Sequence, residues 1–488
     1  MASLLSTPST TGSTGFVARH RLWDEQRREA AADLERKLDS LDAVRVVFAD
    51  PHGIARSKTL SVRAFRSVLR NGMDFSPGPF LFDTGHALAV DPFAPGGGIG
   101  LGELDGAGDF IVVPDPLTFT VLPYTGRPTG WAVGDEYLRD GTPHPLSSRA
   151  VLRRLCDRLP TRGMEYVVGL EVEWYLTRYT DGARPRRVGG FGVQGVPPEV
   201  EPVNGGYQFN SDSLLDALEP VLAPLVDTLI TLDLPLRTIE HESGPGQLEF
   251  TFDPMNGMAA ADAMLLFRTV TKQVLARSGY HASFMALPRL PGFDASGWHL
   301  HQSLADRTTG RDLFSATVPG EVLSDLGMRY LGGLLHHAAG TMLLCVPTIN
   351  GFRRMNQNFA LAPTRVDWST ENRAGEPSAN PYLYLAAQLA AGLDGIDGER
   401  DPGAPVGESC ATTQELPRNL AEAIGAFEAS TLSRAILGDA LSDCLRLLKA
   451  SELARFEEWL ANIGSPTAGP RDDAQVSEWE HCEYFAAY

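Results

Sequence analysis

The sequence predicts a mixed fold of helices and strands in more than one domain. The chain has 488 residues, which is enough to bury a large core and usually too long for a single domain. Apolar strand patterns stand at 44–50 and 166–176, and stretches with helical periodicity follow each of them. These observations together favour a small N-terminal domain with a larger domain behind it.

The expected segments follow one another along the chain. The turn Pro51-His52-Gly53 connects the first strand to a partner at 55–60. Asn380 and Pro381 begin a later helix as its N-cap and its first residue. The segments are a disordered tail at 1–15, an N-terminal helix within 16–43, a first domain at 44–125, a second at 126–488, and helices of the second domain near 146–159, 211–228, 258–278, 323–344 and 380–393.

Charge and cysteine content exclude several classes of protein. The formal net charge of -19 argues against general affinity for nucleic acid or membranes, which reward clustered basic residues. Five widely spaced cysteines are expected to be reduced thiols of a cytoplasmic protein. The N-terminus lacks a signal-peptide pattern, and no apolar run is long enough to cross a bilayer. Arginine greatly outnumbers lysine, so a phosphate site would depend on guanidinium groups.

Carboxylates and imidazoles alternate along the predicted strands, which is unusual for strands in a core. Residues two apart share one face of a strand, so each group below should lie on one face. Gathering such side chains is costly without a cation, and we therefore hypothesise a metal site. The residues are Glu171 and Glu173, then Glu240, Glu242 and Glu249 around a Gly-Pro-Gly turn, then His299, His301 and Ser303.

The individual motifs leave alternatives open. Glu171 and Glu173 are compatible with a solvated strand face, and Arg353-Arg354 with a solvent-facing pair. His299-Leu300-His301 is also compatible with structural histidines, a two-His-one-carboxylate iron site or a cupin. The carboxylate count separates these interpretations, because four or more glutamates with one histidine form an oxygen-rich ligand set. Such a set favours Mg²⁺ or Mn²⁺ bridging phosphates.

In combination, the motifs resemble those of the type I glutamine synthetase family. The resemblance covers roughly residues 44–488, and the blocks follow one another in the family's order. The matching blocks are 48–58, 169–173, 242–249, 282–288, 296–303 and 380–383.

The resemblance implies an α+β fold, with an N-terminal β-grasp domain and a larger catalytic domain whose curved antiparallel sheet is flanked by helices. It implies an ATP-dependent ligase that joins a small carboxylate to an amine through an acyl phosphate, with Mg²⁺ or Mn²⁺. It also implies a homo-oligomer of stacked rings, with a dodecamer as the expected form.

The resemblance assigns roles residue by residue. Arg354 would bind the substrate carboxylate and, with Arg373, would be catalytic. One divalent ion would be bound by Glu173, Glu242 and Glu249, and a second by Glu171, His299 and Glu371. The ATP phosphates would be bound by His301, Ser303 and Arg373.

Several departures from the family pattern bear on the substrates. The family's aspartate in an early ammonium-site loop falls at or near Ser76, and no carboxylate stands near 359–361, where a flap glutamate should lie. Ammonium needs such anions to be held and deprotonated, so a larger amine is expected. Leu287 and Asp294-Ala295 replace residues of the amino acid subsite, which leaves the acid open.

A further departure removes phosphate-binding groups. Residues 368–373 merge two family blocks, and the strand-turn-strand that carries further arginines between those blocks is absent. Arg373 corresponds to either block, and the sequence after it favours the second. The expected function is a ligase acting on an amine other than ammonium. The alternatives are a related binding or regulatory assembly without ligase activity, and a metal-dependent enzyme with different chemistry.

Overall fold

The structure, a computed structural model, describes residues 15–355, 371–403, 416–462 and 476–488. All but the last residue of the predicted tail at 1–15 lies outside this range. Four cysteines are described and are free thiols, as predicted, and Cys410 lies outside the described residues. Among the described residues, no helix has the length and apolar character needed to span a membrane.

The described residues fall into two compact units. The first unit takes those within 1–48, 57–76 and 109–144. The second takes those within 49–56, 77–108 and 145–488.

The first unit is built around a six-stranded mixed sheet. Its elements are α1 Phe16–His20, α2 Glu25–Lys37, β1 Ala43–Ala49, β2 Ala55–Ser61, α3 Val62–Asn71, β3 Met73–Phe75, β4 Phe110–Pro114, β5 Thr120–Leu122 and β6 Thr129–Tyr137. The sheet order is β2-β1-β6-β4-β3, with β5 also on β6, and β1 runs parallel to β6. Phe48 packs edge-on against Phe110 at 5.5 Å in the core. The predicted strands at 44–50 and 55–60 are confirmed, and the β-grasp identity of this sheet stays a prediction.

A curled, eight-stranded antiparallel sheet organises the second unit. The elements of this unit are α4 Gly78–Leu81, α5 Ser148–Cys156, β7 Met164–Tyr179, β8 Val200–Pro202, α6 Asp212–Thr231, β9 Leu236–His241, β10 Gln247–Phe252, β11 Met255–Asn256, α7 Gly257–Arg277, β12 Tyr280–Ser283, β13 Trp298–Asp306, α8 Asp325–Cys345, β14 Glu371–Asn372, α9 Pro381–Asp397, α10 Leu420–Ala429, α11 Thr431–Leu437, α12 Asp439–Asn462 and α13 Glu478–Tyr484. The five helices predicted for this part of the chain correspond to α5, α6, α7, α8 and α9.

Strand β7 is the organising strand of this sheet. It has 16 residues, and its two edges are shared by successive partners. Strands β13 and then β12 pair along one edge, and β11, β10 and β8 pair along the other. A strand so long and so fully paired holds its side chains in fixed register with five neighbours.

Helices cover the apolar face of this sheet. Trp298 on β13 packs edge-on against Tyr384 of α9 at 4.9 Å, and both side chains are fully buried. Asn380 caps α9 as predicted, because its side chain accepts hydrogen bonds from the backbone N–H groups of Tyr382 and Leu383. With one face of β7 and β13 covered in this way, the polar alternation found in the sequence places the carboxylates and imidazoles on the other face.

Candidate active site

Strand register gathers six of the predicted side chains on one face of the second sheet. Residues directly opposite each other on antiparallel strands share a face and lie close together. The facing pairs are Glu173 with Glu249, Glu171 with His299, and His301 with Glu371. The cluster therefore follows from the period of two within each strand and from the register between β7, β10, β13 and β14.

Glu171 bridges the two histidines. Its Oε1 accepts a hydrogen bond from His299 Nδ1 at 2.5 Å, and its Oε2 accepts one from His301 Nε2 at 2.8 Å. Burial acts to raise the pKa of Glu171, but the hydrogen bonds from both histidines outweigh burial and hold that pKa well below its ordinary value. The bond from His301 to Glu171 raises the pKa of His301, whereas burial lowers the pKa of His299.

Glu173 and Glu249 are nearly inaccessible to solvent. Burial, followed by the charge of Glu242, raises the pKa of Glu173 to about 8. Burial, followed by the charges of neighbouring glutamates, raises the pKa of Glu249 to about 9. Carboxylates crowded together in this way repel one another, and a cation among them would offset that repulsion.

The side chains come close enough to share an ion. Two groups each offer three ligand atoms within 4.8 Å of one another: Glu171, Glu249 and His299, and Glu171, His301 and Glu371. These groups regroup the predicted ligand sets, because His301 enters one of them while Glu173 and Glu242 enter neither. Glu173 nevertheless lies beside the cluster, with its Oε1 3.6 Å from His299 Nε2. The donor set, oxygen-rich with imidazole at its edge, fits Mg²⁺ or Mn²⁺.

Arg354 is buried beside the cluster and is directed at the backbone. Its guanidinium donates to the carbonyl oxygens of Arg373, Ala374 and Gly375 at 2.8–3.1 Å. A Cβ at Gly297 would lie 2.7 Å from Nη2 of Arg354 and 2.8 Å from Nε2 of His299. Any larger residue at 297 would force Arg354 or His299 to shift, so glycine preserves the positions of both groups.

The other two predicted arginines differ in exposure. Arg373 is 43% exposed and forms an ion pair with Glu371 at 2.9 Å. Arg353 donates from Nε and Nη2 to Glu480, each at 3.0 Å. Arg373 thus lies at the cluster, whereas Arg353 is held by the C-terminal helix α13.

Ser303 stands at the edge of the cluster and is engaged by a residue that sequence reasoning missed. Its hydroxyl donates to Asp312, whose carboxylate also accepts from the backbone N–H groups of Phe314 and Ser315. Asp312 follows a turn after β13, and nothing in the local pattern distinguishes it from an ordinary turn aspartate.

Gln247 is the second residue that sequence reasoning missed. It is 1% exposed and stands at the start of β10, directly after the Gly-Pro-Gly turn. Its side-chain amide donates to Glu173 Oε2 at 3.0 Å and to Ser296 Oγ at 3.1 Å. The signal available in the sequence was an amide residue two positions before Glu249, which puts both side chains on the same strand face.

The positions that depart from the family pattern fall in both units and in segments outside the described residues. Ser76 is exposed and follows β3 in the first unit. Leu287 is buried, and its backbone N–H and C=O both pair with the side chain of Asn350. Asp294 accepts a hydrogen bond from Ser243 at 3.0 Å, close to Glu242. The segments 359–361 and 368–370 lie outside the described residues.

Sequence comparison relates the chain to known proteins over most of its length. The family model described as "Glutamine synthetase, catalytic domain" matches residues 145–376 and 370–464. Gamma-glutamylanilide synthase of an Acinetobacter species is 40% identical, over 96% of this chain and 98% of that protein. Glutamate–methylamine ligase of Methyloversatilis universalis is 26% identical, over 90% and 94% of the two chains.

Solved structures agree with this relationship. A structure described as apo GmaS without ligand superposes with a TM-score of 0.72 at 25% identity, covering 92% of this chain and 97% of that one. A GmaS/ADP complex superposes with a TM-score of 0.71 at 25% identity, covering 89% and 98%.

Proposed function

The chain belongs to the glutamine synthetase family, and from that premise we propose that this ATP-dependent, amide-forming ligase joins a carboxylic acid to an amine other than ammonium. The observation that carries the proposal is the single sheet face on which Glu171, Glu173, Glu249, His299 and Glu371 meet. Crowded carboxylates at this position suit divalent ions that bridge nucleotide phosphates.

The reaction needs the carboxylate to be activated before the amine attacks. A carboxylate is a poor electrophile, so we propose that one of its oxygens attacks the γ-phosphorus of ATP, which releases ADP and forms an acyl phosphate. The amine nitrogen then attacks the acyl carbon, the bond from that carbon to the phosphate oxygen breaks, and the nitrogen loses a proton. The products are an amide, ADP and phosphate.

The chain's own residues would divide this work. Two divalent ions would neutralise phosphate charge. One would be held by Glu173, Glu242 and Glu249, and the other by Glu171, His299 and Glu371. Arg373 is half-exposed and paired with Glu371, and it would exchange that carboxylate for a phosphate oxygen. His301 and Ser303 would complete the phosphate contacts. Arg354 would act at the substrate carboxylate, although its described hydrogen bonds all go to backbone carbonyls.

Two arguments support an amine other than ammonium. The chain has Ser76 where an ammonium-site aspartate is expected, and no acidic residue at 359–361. An arylamine is uncharged at neutral pH, so it needs neither an anionic site nor a base before it attacks. The relative at 40% identity is named for a gamma-glutamylanilide product. We therefore propose glutamate and an aniline-type amine as the first substrates to test.

The test is phosphate release from ATP by the purified chain, with glutamate and each of aniline, methylamine and ammonium, and with the amide product measured by mass spectrometry. We expect kcat/KM for an amine to exceed that for ammonium by at least about tenfold. Equal or better use of ammonium would refute the amine proposal. Absence of turnover with every acid and amine, in a protein that binds Mn²⁺, would favour an assembly without ligase activity. A ring-stacked homo-oligomer is proposed from the family alone.

A further inference from the structure

The side chain of Gln247 connects three segments of the site. Its Oε1 accepts from the backbone N–H of Gly244 at 2.9 Å. Its Nε2 lies 3.0 Å from Glu173 Oε2, 3.1 Å from Ser296 Oγ and 3.2 Å from Ala295 O. The amide thus joins β7, the turn before β10 and the loop before β13.

The orientation of this amide follows from its partners. Gly244 offers an N–H, so the oxygen of the amide must face the turn. The NH₂ group is then directed at Glu173, Ala295 and Ser296, which all offer acceptor oxygens. Because Gln247 and Ser296 are both fully enclosed, breaking these bonds would leave polar atoms without partners.

Glutamine suits this position for a chemical reason. A lysine or arginine would place a positive charge against Glu173 and compete with a cation for the same carboxylate. A glutamate would add another negative charge and supply no donor. Glutamine donates a hydrogen bond without a net charge, so it fixes one oxygen of Glu173 and leaves the carboxylate's charge available.

We infer that Gln247 is a positioning residue: it holds Oε2 of Glu173 so that Oε1 faces His299 and the carboxylate cluster, and it ties the loop 294–297 to the same carboxylate. The backbone reinforces this arrangement, since Glu173 N–H donates to Gly297 O at 3.0 Å and Glu242 N–H donates to Gln247 O at 2.9 Å. The inference rests on the proposed divalent-ion site. Hydrogen-bond partners of metal ligands typically change metal affinity 10- to 100-fold when they are removed.

Binding of Mn²⁺ to the intact chain tests this inference without any substrate. Free Mn²⁺ is measured by electron paramagnetic resonance during titration, alongside thermal unfolding. Gln247→Met keeps the length of the side chain and removes the amide, and we expect about tenfold weaker Mn²⁺ binding. Mn²⁺ binding by Gln247→Met within about twofold of the unmodified chain would overturn the inference.

Gln302→Met is the matched control. Gln302 is also a buried glutamine of this sheet, but it hydrogen-bonds to Tyr166 and Tyr330 on the face away from the carboxylates. We expect this variant to lose stability and to bind Mn²⁺ within about twofold of the unmodified chain; a comparable loss of Mn²⁺ binding in it would overturn the inference. If Gln247→Met does not fold, Gln247→Asn is measured in its place, and we expect its Mn²⁺ affinity to be about fivefold weaker. An unchanged Mn²⁺ affinity in Gln247→Asn would overturn the inference. Failure of the unmodified chain to bind Mn²⁺ would instead remove the proposed metal site itself.

Discussion

Glu249 of β10 faces Glu173 of β7 across the strand pair, and each of these two residues is only 8% exposed. Two acidic groups in such positions are destabilising when both are ionised, because each has lost water and lies near other carboxylates. We therefore expect the stability of the second unit to depend on protons and on divalent ions.

The stability of the metal-free chain should fall as the pH rises. The folded-state pKa values of Glu173 and Glu249 are raised from the ordinary 4.5 to about 8 and about 9, so the folded chain binds these protons more tightly than the unfolded chain does. Their contribution to the free energy of unfolding is fully present below pH 4.5 and is lost as the pH rises through 8 and 9. Each group contributes a slope of at most about 1.4 kcal/mol per pH unit. Chemical unfolding without metal at several pH values measures it.

Saturating Mg²⁺ should reverse much of this loss. The ion takes the place of the protons, so the stability gained on adding Mg²⁺ should increase from about pH 6 to about pH 8.5. A gain that is independent of pH would argue against Glu173 and Glu249 as groups that respond to the ion.

Two matched variants compare a glutamate inside the carboxylate cluster, Glu249, with a neighbouring glutamate outside it, Glu240. Glu249 and Glu240 lie opposite each other on β10 and β9. Glu240 is more exposed than Glu249, and its carboxylate accepts a hydrogen bond from the hydroxyl of Thr238. Glu249→Gln should weaken Mn²⁺ binding at least about tenfold and lower kcat at least about 100-fold. Glu240→Gln should change both by less than about threefold. Equal effects in the two variants would contradict the assignment of Glu249.

Arg354 and Arg373 should respond differently to the same substitution. Arg354→Lys replaces a buried guanidinium that bonds three backbone carbonyls with a single ammonium nitrogen, which cannot reproduce the geometry of all three bonds. It should therefore lower the free energy of unfolding by about 2–3 kcal/mol along with activity. Arg373→Lys should change stability by less than about 0.5 kcal/mol, while kcat falls about 100-fold. Unfolding curves and steady-state kinetics of both variants check this. A stable but inactive Arg354→Lys would mean that Arg354 acts mainly on substrate.

The cap of α9 gives a prediction of stability alone. Asn380 caps the helix and also donates to the carbonyl oxygens of Asp50 and Pro51. Asn380→Ala should cost about 2–3 kcal/mol, since a buried cap and its additional bonds are lost together. Asn419, the exposed cap of α10, is the control, and Asn419→Ala should cost about 1 kcal/mol. Equal losses would mean that the bonds to residues 50 and 51 add nothing.

Sequence reasoning anticipated the long strand β7 and five helices of the second unit because their patterns are local. The period of two places Glu171 and Glu173 on one face, and the Asn380-Pro381 pair begins a helix for reasons contained in a few residues. It did not anticipate which ligands group most closely, since that depends on register between strands distant in the chain. His301 and Glu371 are adjacent only because β13 pairs with β14.

Gln247 and Asp312 escaped sequence reasoning for a different reason. Amides and turn aspartates are common, and their importance comes from which acceptor or donor the fold places beside them. The merging of two family blocks around Arg373 stays a prediction. The structure describes Arg373 and leaves the preceding residues 356–370 undescribed.

The many pairings of β7 also determine how the site can move. Five strands hydrogen-bond to it among the described residues, and Glu171 lies between paired residues of β13 and β10, so its backbone N–H group cannot reach water unless the sheet itself opens. The hydrogen of Glu171 should exchange with solvent deuterium about as slowly as global unfolding allows, whereas that of Glu173, which is bonded to Gly297, and those of loop 288–297 should exchange through local opening. Adaptation to a new amine or acid would therefore proceed in the loops, while the strand that holds the acidic ligands stays constant.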